Sequence, residues 1–139
     1  MMPIEPGIEG LDDIERFLRA GQEWLKKQHE EGISGAELCQ SRSALMDNVL
    51  QRLWKRTSRP QGERESGEGI ALLAMGGYGR EELNPFSDID LFFLHLPGKG
   101  KDLESWVKNI LHPLWDWGLT VGYTVQTPKE SWRAAQKDL

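Results

Sequence analysis

The chain has 139 residues, the size of one domain and enough to bury a real core without cross-links. A formal net charge of -5 argues against a general nucleic-acid surface, and Cys39, the single cysteine, excludes an intrachain disulfide or a zinc cluster built from thiolates. No apolar run approaches the roughly 18 residues of a membrane span, and "MMPIEPGIEG" is no basic-then-apolar leader, so a soluble, cytoplasmic protein in reducing surroundings is expected, with no membrane or nucleic-acid partner.

In chain order, Leu11, Ile14, Phe17, Leu18, Trp24 and Leu25 recur at helical spacing, a pattern that Gly21 weakens without forbidding. "GISG" at 32–35 breaks it. A second helical period then runs through Leu38, Leu45, Val49, Leu50, Leu53 and Trp54, so the two segments are expected to pack as a hairpin. "LWKRTSRP" at 53–60 is locally basic and reads as a solvated helix end. The polar stretch "SRPQGERESGEG" at 58–69 reads as an exposed loop and the internal boundary.

Beyond it the pattern changes. "IALLAM" at 70–75 has the look of a strand buried on both faces, and "DIDLFFLHL" at 88–96 of a second strand. Residues 101–117 carry Leu103, Trp106, Val107, Ile110, Leu111, Leu114 and Trp115 at helical spacing, with Pro113 expected to kink or end the helix. "LTVGYTVQT" at 119–127 alternates as a third strand, and Pro128 opens a last helix. The sequence stops inside that helix without a stop signal, so a longer chain is expected. Two helices followed by strand, strand, helix, strand and helix predict an α+β layer around a small mixed sheet, with most of the six tryptophans as core or interface anchors.

The stretch "GGYGREELNPFSDIDLFFLH" at 76–95 concentrates the chemistry. It is no Walker loop, because Arg80 and Glu81 follow Gly79 where a lysine and a hydroxyl are required. Nor is it a dinucleotide fingerprint, since Glu82 stands at the third glycine's place. What remains is a strand, a glycine turn, a short helical turn at "REEL" and a second strand. Gly76 and Gly77 lack a Cβ and let a phosphate approach the main chain, while Arg80 adds a cation; glycines alone would be an ordinary tight turn. Asp88 and Asp90, two apart, point to one side of a strand, with Ile89 pointing away. Paired carboxylates need a cation to coexist as ions, which suits a hard ion such as Mg²⁺; the plain alternative is a solvated strand end. A glycine cradle beside two carboxylates suggests phosphoryl or nucleotidyl transfer with metal ions about 3.5–4 Å apart.

This segment, with the later "LHPLWDWGLTVGYTVQT", closely resembles the nucleotidyltransferase domain of the bacterial uridylyltransferase and uridylyl-removing enzymes that modify the PII signalling protein, within the DNA polymerase β-like superfamily. The resemblance covers roughly residues 70–139 and implies a polymerase β-like core over 61–139, truncated at its C-terminal end, behind an N-terminal helical region at 1–60. It also implies Asp88 and Asp90 as metal-binding catalytic residues with two Mg²⁺ ions, and Gly76, Gly77, Arg80 and Ser87 around the nucleotide. The implied donor is UTP and the implied acceptor a tyrosine of PII; the uridylyl-removing and glutamine-sensing domains of such enzymes are not expected within these residues.

Two departures stand out. Many superfamily members place a third carboxylate on the next strand, where this chain has Gly122, and Tyr123 and Gln126 stand where the PII-modifying family often has His and Arg. A sensing module that binds nucleotide without turnover, or a related transferase with another acceptor, is therefore weighed beside the leading reading. His29, His95 and His112 have no second ligand at helical spacing.

Overall fold

The computed structural model describes residues 10–58, 69–80, 88–98 and 100–137. Helices α1 (Leu11–Glu30) and α2 (Gly35–Ser58) form the expected hairpin. Ser34 starts α2, its Oγ accepting the Glu37 backbone N–H at 3.2 Å and so satisfying one of the donors a helix start leaves open. Ile14 and Leu18 of α1 and Met46, Val49 and Leu53 of α2 are buried between the helices and the sheet. The helices approach closely at Gly21, where an added Cβ would collide with Cδ1 of Leu45 and lie 2.8 Å from its Cδ2. Gly21 therefore trades helix propensity for a close crossing. Nearby, the Arg52 guanidinium lies 3.8 Å above the Phe17 ring.

Strands β1 (Ile70–Met75), β2 (Ile89–His95) and β3 (Val121–Gln126) make one sheet in the order β1-β2-β3. β1 runs antiparallel to β2, with Met75 opposite Asp90; β3 runs parallel to β2, with Gly122 opposite Asp90. A parallel neighbour needs a crossover, and helix α4 (Gly100–Asp116) supplies it. Ile89, Leu91, Phe93 and Val121 point to the covered face and join Ile110, Leu111 and Leu114 of α4 and the α1–α2 residues in one core. Trp54 of α2 meets Trp106 of α4 with ring centroids 4.5 Å apart, and Arg19 of α1 donates from Nη2 to the Trp117 carbonyl at 2.9 Å. Trp106 and Trp117 are core residues, whereas Trp24, Trp115 and Trp132 are exposed. The other sheet face is open: Ala71, Leu73, Met75, Asp90, Gly122 and Thr124 share it and are all exposed.

Two expectations are corrected. β1 is an edge strand, not one buried on both faces: only Ile70 is buried, and Leu73 and Met75 are each 45% exposed, because among the described residues the helices cover one side of the sheet. An apolar run reads the same at an edge as at a centre. Pro113 does not end α4 either. It removes one backbone donor, but its ring is buried in the core and its carbonyl still accepts the Trp117 N–H at 2.9 Å, so the helix reaches Asp116.

After β3, Thr127 caps α5 (Pro128–Lys137): its Oγ1 accepts the Glu130 N–H at 3.2 Å and donates to Glu130 Oε1 at 3.0 Å, with Pro128 at the first helical position. A helical turn that the sequence did not announce forms in the glycines themselves, as α3 (Gly76–Gly79), while the turn expected at "REEL" falls mostly on residues 81–83, outside the described residues. Within α3, Tyr78 is 3% exposed and its hydroxyl donates to Asp47 Oδ1 of α2 at 2.6 Å, which ties the glycine turn to the helical hairpin. Among the described residues no helix is long and apolar enough to cross a membrane. The 58–69 loop and the boundary at 60/61 fall almost wholly outside the described residues.

Replacing Gly21 by Ala is expected to cost about 1–3 kcal/mol through overpacking against Leu45, offset in part by a propensity gain of about 1 kcal/mol; a melting temperature clearly above the parent's would contradict the close crossing. Burial, and then the hydrogen bond and charge of Asp47, hold the Tyr78 phenol above its ordinary 10.0. The folded state thus keeps a proton that the unfolded chain releases. The Tyr78 contribution is intact below the unfolded value and declines as pH rises past it, by up to about 1.4 kcal/mol per pH unit. Urea unfolding at about pH 8 and about pH 11 should show Tyr78→Phe removing that part of the alkaline loss.

Candidate active site

The site is built where the chain leaves one edge of the sheet and returns through its centre. Met75 ends β1 in an extended conformation, and Gly76 then takes φ +58°, a left-handed geometry that favours glycine. The Arg80 backbone N–H closes the turn on the Gly76 carbonyl at 3.2 Å. The chain re-enters at Asp88, immediately before β2, whose first residue donates from its N–H to the Thr120 carbonyl at 3.0 Å. Asp88 and Asp90 are exposed, while Ile89 between them is 1% exposed, so both carboxylates reach solvent around an anchored apolar residue.

Asp90 is the best-defined member. A Cβ on Gly76 would lie 3.0 Å from its Oδ2, and a Cβ on Gly122 would lie 3.1 Å from its Oδ1. One glycine from each neighbouring strand edge therefore makes room for one oxygen of the carboxylate. A Cβ at 122 would be in tight contact with Asp90 Oδ1, so a side chain there would require the carboxylate to shift by a few tenths of an ångström.

The structure brings together Gly76, Asp90 and, unforeseen, Gly122. Gly77 lies in α3 and Arg80 at its exposed end; Ser87 lies outside the described residues. Asp88 lines a cleft between the sheet and the α1–α2 hairpin. Of the histidines, His95 Nδ1 sits 2.9 Å from the Leu96 carbonyl, and His112 lies against Trp115 with ring centroids 5.9 Å apart. Among the described residues no group of three or more His, Cys, Asp or Glu side chains could hold a metal ion, which leaves the pair Asp88 and Asp90 as the candidate carboxylate donors there. That donor set fits Mg²⁺, which takes one or two carboxylates together with waters and phosphate oxygens.

Sequence reasoning missed the Tyr78–Asp47 bond and the packing of Gly122 on Asp90. The first joins residues 31 apart with no periodic signal, and the second becomes visible only with the parallel register of β2 and β3.

The family described as glutamate-ammonia ligase adenylyltransferase matches residues 20–110. Among curated relatives, a bifunctional uridylyltransferase/uridylyl-removing enzyme of Pseudomonas putida (strain W619) is 38% identical over 126 residues, covering 91% of this chain and 13% of the relative. An enzyme of the same description from Nitrosospira multiformis is 35% identical over 133 residues, covering 91% of this chain and 14% of the relative. Another, from Caulobacter vibrioides (strain NA1000 / CB15N), is 36% identical over 138 residues, covering 96% and 15%. The chain thus spans 13–15% of the length of these relatives. No solved structure matches it. With a family match over most of its length, and its glycine turn and carboxylate strand falling inside that match, the chain belongs to the glutamate-ammonia ligase adenylyltransferase family of nucleotidyltransferases.

Proposed function

We propose that this chain is the donor-binding part of a cytoplasmic nucleotidyltransferase that moves UMP from UTP to a tyrosine hydroxyl of a PII-type signalling protein. The observation that carries this reading is the Asp90 carboxylate set between Gly76 and Gly122, with Asp88 two residues before it and the glycine turn beside it. The curated relatives are named for uridylyl transfer, which favours UTP as the donor and a protein as the acceptor.

In the transfer, the acceptor oxygen bonds to the α-phosphorus of the nucleotide, the bond to the pyrophosphate oxygen breaks, and the hydroxyl proton leaves to solvent or a base. Gly76 and Gly77 would receive the triphosphate against bare main chain, and Arg80 lies at the end of the same turn. Asp88 and Asp90 would hold the Mg²⁺ ions, which supply charge neutralisation of the phosphates and of the leaving pyrophosphate. The open sheet face leaves Asp90 accessible, and the covered face keeps β2 rigid beneath it.

In the intact protein, Asp88→Asn and Asp90→Asn should each lower Mg²⁺-dependent transfer of labelled UMP onto purified PII by at least about 100-fold while leaving the circular dichroism spectrum unchanged. Full activity in both variants would sink the reading, and UTP binding without turnover in the parent protein would favour the sensor. Gly122→Asp, which places an acid where many relatives of the superfamily carry one, should also depress transfer about 10-fold or more by crowding Asp90 and adding like charge; a rise in rate would mean that an acid is missing at that place.

A further inference from the structure

Apart from the carboxylate face, the described residues form a second feature suited to a ligand. A cleft of about 560 Å³ opens between the α1–α2 hairpin and the ends of β2 and β3 that carry Ile89 and Thr120. This lies within the usual range for small-molecule sites. Leu25, Leu38, Leu45 and Met46 give it an apolar floor, while Lys26, His29 and Arg42 stand on the helical side. Asp88 is the one carboxylate among the described lining residues.

Arg42 is the informative member. It is half-buried on α2 and forms no ion pair or hydrogen bond with another described residue. Burial, partly countered by the nearby Cys39, pulls its guanidinium below the ordinary value, yet an arginine keeps its charge, so a partly dehydrated cation faces the cleft with no ion-pair partner among the described residues. An anion reaching Arg42 would restore what burial removes, through a charge-assisted and potentially bidentate hydrogen bond. The same ligand needs an apolar body, because an ion as small as inorganic phosphate would leave the leucine and methionine floor wet. Lys26 adds positive charge to the same rim.

We propose that this cleft binds a small amphipathic anion, with its carboxylate or phosphate at Arg42 and its apolar body on the floor of Leu25, Leu38, Leu45 and Met46. The cleft is distinct from the glycine turn that would receive a triphosphate, although Asp88, one of the two proposed metal ligands, lines it. Binding is the readout, independent of nucleotidyl transfer.

Three probes separate the contributions: decanoate below its micelle threshold, decanol as the uncharged counterpart, and inorganic phosphate as a headgroup without a body. Calorimetric titration of the intact protein should show saturable decanoate binding at one site, with decanol and phosphate each at least about 10-fold weaker. Arg42→Gln should weaken decanoate about 10-fold and leave decanol unchanged, and Lys26→Gln, fully compatible with the fold at a helix surface, should weaken decanoate by a smaller factor. Circular dichroism verifies that both variants fold. Equal affinity for decanoate and decanol, decanoate binding indifferent to both substitutions, or no saturable binding of decanoate would each overturn the proposal.

Discussion

The placement of one carboxylate constrains much of this structure. Asp90 sits on the central strand with a neighbour on each side, and on each side the position nearest its oxygens is a glycine. A Cβ at 76 or 122 would lie 3.0 or 3.1 Å from a carboxylate oxygen of Asp90, so a larger residue at either place would require that side chain to shift. Gly76 is constrained twice, since its left-handed φ is also what lets β1 pass into a single helical turn. A mixed sheet of this order serves the purpose: its antiparallel pairing brings the end of β1 beside Asp90, and its parallel pairing brings the start of β3 to the same level.

The helical hairpin contributes to the site from the other side of the sheet. Gly21 brings α1 onto Leu45 of α2, and two residues beyond Leu45, Asp47 accepts the Tyr78 hydroxyl from within the glycine turn. A short hydrogen bond to a carboxylate, with the phenol buried, fixes the turn more firmly than three glycines could by themselves. The N-terminal helices are thus mechanically continuous with the candidate active site. A buried tyrosine also gives the glycine turn an apolar root, without which a segment so poor in side chains would have little to pack.

Much of the fold was legible because hydrophobic period reports on which faces are covered. The α1–α2 hairpin, the three strands and the crossover helix followed from runs such as Leu45, Val49, Leu53 and Ile110, Leu111, Leu114, and all are present. The errors arose where the pattern is silent about neighbours. "IALLAM" does not state whether another layer lies beyond it, and Pro113 reads as a breaker unless its ring is known to be buried. Strand alternation predicts Asp88 and Asp90 on either side of a buried Ile89, and the structure has Ile89 buried with both aspartates exposed, Asp90 inside β2 and Asp88 just before it. At Gly122 the sequence shows that an acid is absent but not that a Cβ there would lie 3.1 Å from Asp90 Oδ1, which becomes visible only with the parallel register of β2 and β3.

The one-sided covering of the sheet among the described residues, which defeated the reading of β1, is also a condition for the proposed chemistry. β2 alternates Ile89, Leu91 and Phe93 into the core with Asp90 and Phe92 toward the other face. Helices packed over both faces would bury Asp90, and an ionised carboxylate without a partner in a dry layer costs several kcal/mol or else takes up a proton. Either outcome would remove Asp90 as the proposed cation ligand. The exposure of Leu73 and Met75 on β1 therefore accompanies the exposure of Asp90: apolar and acidic positions share one pleat face, and that face must remain open wherever a nucleotide is to reach the carboxylate. Stability is concentrated on the covered side, where Ile89 and Leu91 anchor the same strand that presents Asp90, so rigidity and access are divided between alternate residues of one strand.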